Sequence, residues 1–104
     1  MKPHITTKRQ REREAEKLLR EYAANMGARD LVKKAELIDG LYDVGSYRVT
    51  PEYRDQLIAK FERKAKELFD QALSLLPEDF CRLRSGGWVS WEWLAKQQPQ
   101  PTSH

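Results

Sequence analysis

Arg9, Arg13, Lys17 and Arg20 follow one another at spacings of four, four and three residues. On a helix of 3.6 residues per turn they fall within about 80° of one another and form a cationic stripe. The chemistry open to such a stripe is neutralisation of a polyanion. Guanidinium and ammonium groups displace counterions from a phosphate backbone, so affinity falls as salt rises. Arg29, Lys33, Lys34 and Arg48 add positive charge downstream. Glu12, Glu14, Glu16 and Glu21 are interleaved with the stripe. A solvated face that serves solubility is therefore the plainer reading of the same pattern.

A second group stands at the other end of the chain. The segment "SGGWVSWEWLAKQ", residues 85–97, holds Trp88, Trp91 and Trp93, all the tryptophan there is. Tryptophan is large, carries a polar N–H, and is enriched at binding hot spots. As a strand, the segment puts Val89, Trp91 and Trp93 on one side. As a helix, Ser90 caps it and Trp91, Leu94 and Ala95 share a side. In either case one indole stays partly exposed, and Trp93 is the best candidate for contact outside the chain. The other use is a flap folded back over Leu73 and Leu76, because a small domain needs every apolar residue it has.

Enzyme chemistry finds little foothold. The histidines are His4 and His104, near the two ends, and the single cysteine is Cys81. That inventory excludes the common zinc ligand sets and a Cys–His nucleophile pair. Gly86-Gly87 lacks the Lys-Ser/Thr and the preceding strand of a phosphate-cradling loop. Each carboxylate neighbours a Lys or Arg, as on a solvated face. The expectation is no enzyme, with no catalytic residues, no metal and no cofactor.

A lone cysteine forms no internal disulfide, so a reducing, cytoplasmic setting is the default, with Cys81 a half-buried structural thiol. No apolar run approaches the roughly 20 residues of a membrane span. Met1-Lys2-Pro3-His4 leads into charge instead of an apolar signal core. The formal charge is +3 over 104 residues, but it is uneven. Residues 1–34 hold ten Lys/Arg against five Asp/Glu, while residues 35–76 hold six against eight.

The elements that must position these groups are mainly helical. The length suits one domain over residues 6–96, with a flexible start at 1–5 and a disordered polar tail at 97–104. Thr6 or Thr7 caps a first amphipathic helix that Gly27 is placed to end. Residues 29–39 read as a second, shorter helix, with Leu31, Val32, Ala35 and Ile38 on one side. Residues 41–50 carry two aromatic and β-branched runs around Gly45-Ser46, which reads as a tight β-hairpin or an irregular loop. Thr50-Pro51-Glu52 opens a long helix whose apolar stripe runs from Tyr53 to Leu76, and Pro77 closes it. At about 26 residues that helix spans about 39 Å, wider than a small domain. Its apolar ends therefore meet either the tail segments or another copy in an antiparallel dimer. Residues 77–84 read as a last helical turn, and Ser85-Gly86-Gly87 as a flexible joint.

This order resembles the winged-helix and helix-turn-helix DNA-binding domains over residues 19–58. The likeness rests on "ELIDGLYDVGSYRVTPEYRDQL" and on the spacing of Ala23 and Gly27. It implies double-stranded DNA as partner, with Arg29, Lys33 and Lys34 at the major groove, Arg48 reaching from the wing, and the first stripe tracking phosphates. The chain lacks the core aliphatic that pattern expects at Lys33, and one upstream helix. The leading expectation is a small, non-enzymatic, homodimeric DNA-binding regulator. The alternative is a protein-binding inhibitor or adaptor, of the kind mobile genetic elements encode, that covers a partner's surface through its tryptophans.

Overall fold

The computed structural model describes residues 7–97. Two long helices lie antiparallel, and a small β element packs at each end of the pair. The fold is mainly α. The expectations placed on residues 1–5 and 98–104 lie outside the described residues, and Gln97 is the last residue of a helix.

Helix α1 runs from Lys8 to Lys33. Thr7 caps it through a reciprocal pair: the Gln10 amide donates to the Thr7 hydroxyl at 3.1 Å, and the Thr7 amide donates to the Gln10 side chain at 3.0 Å. The helix does not stop at Gly27. Glycine in an exposed helix interior costs only about 1 kcal/mol against alanine. The last turn recovers that by burying Val32 against Val49 and Leu57. Arg54 then satisfies the helix end, donating to the carbonyls of Val32 at 3.4 Å and Lys33 at 3.1 Å. Its guanidinium also lies 4.4 Å from the centre of the Tyr42 ring.

The second helix expected at 29–39 is absent. Its first half is the last turn of α1, and its second half is strand β1, Glu36–Ile38. Leu31, assigned to that helix's apolar side, is 72 % exposed. Asp39 and Gly40 both take positive φ, 52° and 81°, and turn β1 into β2, Leu41–Asp43. Asp-Gly is the dipeptide that favours this two-residue turn. Ile38 pairs with Leu41 and Glu36 with Asp43. Strand β3, Arg48–Val49, pairs antiparallel with β2, Tyr42 opposite Val49. The Val44 amide donates to Tyr47 O at 3.0 Å, and Gly45 sits at φ 112°. Residues 41–49 are thus a hairpin, not an irregular loop.

Helix α2, Pro51–Ser74, begins directly after β3. The Tyr53 amide donates to the Thr50 hydroxyl at 3.1 Å, and Pro51 occupies the first turn. Ala15 packs with Ala72 and Leu76 at one end of the helix pair, and Val32 with Leu57 at the other. Alanine at Ala15, Ala65 and Ala72, all buried, lets the two backbones approach closely.

Past Pro77 the chain forms a second β ribbon where a helical turn and a flexible joint were expected. Strand β4, Phe80–Arg82, pairs antiparallel with β5, Trp88–Ser90, Cys81 opposite Val89. The glycines make the tight turn between them, with Gly86 at φ 95°. Helix α3, Trp91–Gln97, follows at once, its Trp93 amide donating to the Ser90 hydroxyl at 3.0 Å. The tryptophan segment is therefore part strand and part helix. Among the described residues no helix is long and apolar enough to cross a membrane.

Candidate functional site

The three tryptophans are held in different ways. The Trp88 indole N–H donates to Asp70 of α2 at 2.9 Å, with the Arg82 guanidinium 5.8 Å from its ring centre. The Trp91 indole N–H donates to the Pro77 carbonyl at 2.8 Å, and its amide to Asp79 O at 3.1 Å. These bonds seat the β4–β5 ribbon on the C-terminal end of α2. A clamp reinforces the same end: Arg11 donates to both carboxylate oxygens of Glu78, at 2.8 and 2.6 Å, and to Leu75 O at 2.9 Å. The Arg11 bonds hold the Glu78 carboxyl down to about 2 from its usual 4.5.

Anchoring does not hide the rings. Trp91 remains 47 % exposed and Trp93 48 %. Trp93 forms one wall of an open cleft of about 500 Å³, with Leu19 of α1, Phe69 and Leu73 of α2, Phe80 and Trp88. A second recess of about 320 Å³ lies between Tyr22, Met26, Ala65 and Phe69, bounded by Arg29, Glu62 and Lys66. Phe69 lines both, its ring centre 5.1 Å from that of Tyr22. The result is one apolar groove, tryptophan-walled at one end and edged by charge at the other.

Phe80 and Leu19 are not legible as site residues from the sequence, because only the packing of β4 and α1 on α2 brings them together. A signal was present for Phe69 and Leu73. From Leu57 to Leu73 the apolar arc of α2 spans about 160°, more than one neighbouring helix covers.

The basic residues divide into two sets. Arg9, Arg13 and Lys17 are exposed on the edge of α1 that points away from α2, and pair with no carboxylate among the described residues. Arg20 shares that edge but binds Glu16 at 2.6 Å. Arg29 is tied to Asp30 at 2.8 Å and Glu62 at 3.2 Å, and the bond to Asp30 raises its pKa further above its usual value. Lys33 also meets Glu62, at 3.6 Å. Glu62 thus serves α1, not Lys66 on its own helix as sequence spacing suggests. Arg29, Lys33 and Lys34 lie at the end of α1 and just past it, so no second helix presents them together. Lys34 and Arg48 are exposed. Lys60, Arg63 and Lys64 of α2 form a further exposed basic cluster, with Glu67 of the same helix and Asn25 of α1 beside it.

Among the described residues no three His, Cys, Asp or Glu side chains gather as a metal site requires. Cys81 is half-buried in β4, its thiol 3.7 Å from Arg82 O. Comparison with known protein families, curated proteins and solved structures finds no match to this chain.

Proposed function

We propose that this chain is a non-enzymatic protein-binding module, an inhibitor or adaptor that acts by covering another protein's surface. One observation carries the reading: two open apolar recesses along α1 and α2 that adjoin at Phe69, one of them walled by Trp93. A contiguous apolar surface rimmed by charge is what a protein contact needs, and half-exposed tryptophan beside a pocket is the usual make-up of its energetic centre. Three of the eight cations assigned to DNA are engaged by acids, which lowers the charge available for phosphate.

The test is photocrosslinking in the cells the chain comes from, with Trp93→p-benzoylphenylalanine compared against the same substitution at Arg63, on the far side of α2. Covalent adducts at position 93 and none at 63 are expected. No adduct at 93 ends the reading.

One observation favours DNA as a second reading: Arg9, Arg13 and Lys17 stand exposed on one edge of α1. It predicts duplex binding at low salt that weakens steeply as salt rises, and that Arg9→Glu, Arg13→Glu and Lys17→Glu together abolish. A gel shift at two salt concentrations decides it, and no shift at low salt removes it.

A further inference from the structure

We infer that the groove is filled by a second copy of this chain, laid face to face and head to tail, with Trp93 of each copy seated in the Tyr22–Met26–Phe69 recess of the other. The inference rests on the groove being a protein-binding surface and names its occupant.

An isologous dimer needs a knob and a hole on the same face of one molecule, on opposite sides of the prospective two-fold axis. This face has both. Trp93, half exposed, stands at one end of the groove. The recess, about 320 Å³ and floored by Tyr22, Met26, Ala65 and Phe69, lies at the other. Phe69 belongs to both cavities and marks the midpoint. A two-fold axis there, across the helices, carries each Trp93 onto its partner's recess.

The charges match the same arrangement. Lys66 lies at the lip of the recess, exposed, and pairs with no carboxylate among the described residues. Glu92, next to Trp93, is 83 % exposed in its side chain and, among the described residues, pairs only with Lys96, one turn on in its own helix. Seating Trp93 brings Glu92 beside the other copy's Lys66. Such a rim pair fixes orientation more than it adds affinity.

The sparse core points the same way. Among the described residues no large side chain is completely shut off from water, Leu68 coming nearest at 3 % exposed. Two antiparallel helices form a single layer, and one layer leaves a face uncovered. A second pair across it makes a four-helix arrangement in which the half-buried Leu19, Phe69 and Phe80 lose their contact with water. The outer edge of α1 takes no part and stays free.

Sedimentation equilibrium of the purified chain tests this. The expected result is a concentration-dependent dimer. Trp93→Ala weakens it at least about tenfold. Lys66→Glu and Glu92→Lys each weaken it, and the two combined restore part of the loss. Circular dichroism confirms that each variant is folded. If Trp93→Ala fails to fold, the two charge variants, both at exposed positions, carry the test. A monomer at every concentration overturns the inference, and so does a dimer indifferent to all three changes. The crosslink at position 93 separates this from the broader reading. Adducts of twice the chain mass alone support the homodimer and end the inhibitor or adaptor reading, whereas adducts of other masses alone keep that reading and end the homodimer.

Discussion

The two ends of the helix pair are built alike and used differently. At each, a β ribbon leads without a linker into a helix capped by the residue just before it: Thr50 after β3, Ser90 after β5. At the first end the ribbon closes the core. Val49 is buried with Val32 and Leu57, and Arg54 finishes α1. At the other end the ribbon adds a wall, and two tryptophans remain half in water. The difference is where the apolar residues point. Val49 faces the helix seam, while Trp93 lies beyond the strand, on the first turn of α3. One construction thus makes a stabilising end and a presenting end.

The largest effect should come from the stabilising end. Leu57→Ala removes a buried side chain from a small cluster and should cost about 2–4 kcal/mol in urea unfolding. At the presenting end Trp93→Ala should cost less, about 1–2 kcal/mol at concentrations where the chain is monomeric, since half the ring is hydrated there. Equal losses would break the contrast. Next, Gly40→Ala places a side chain at φ 81° in the β1–β2 turn. Space is open there, so the cost is backbone strain alone, about 1 kcal/mol in the same measurement.

The Arg11–Glu78 clamp gives the presenting end a pH signature. The folded carboxyl titrates near 2 and the free one near 4.5. A depressed folded value contributes stability above the free value, and that contribution drains away as pH falls toward 2. Glu78→Gln should therefore unfold at a higher pH than wild type in an acid titration followed by tryptophan fluorescence. The effect is small because both groups meet solvent. Smallest of all, Arg13→Ala should leave the thermal midpoint almost unchanged, within about 0.5 kcal/mol. A larger loss would give this exposed residue a packing role.

What the sequence made legible tracks how local the determining physics is. Thr50-Pro51 and the stripe that follows define α2 through caps and periodicity alone; the start matches, and the helix stops at Ser74, two residues before the end of the stripe at Leu76. Gly45-Ser46 likewise marks the β2–β3 hairpin. The failures sit where a distant contact outweighs a local preference. Gly27 reads as a stop, yet Val32 reaches Val49 and Leu57 and holds α1 together beyond it. Asp39-Gly40 was a turn signal in plain view, masked by an apolar spacing that also suits a short helix. At 80–90, a three-residue strand is too short for alternation to be read, and its partner lies across two glycines. For the site, Trp93 was legible from its type and place. The groove was not, because Leu19, Phe69 and Phe80 meet only through the pairing of α1, α2 and β4. The loss of Arg29 and Lys33 to Glu62 was hidden for the same reason, since 33 and 29 residues separate those partners.

Because Ser90 both ends β5 and caps α3, the helix bearing Trp93 has no hinge. The backbone that carries the ring moves away only if the β4–β5 ribbon also unzips from α2. Whatever lands on this face therefore meets a wall already in position. Little backbone freedom remains to be frozen at contact, and more of the attraction survives as affinity.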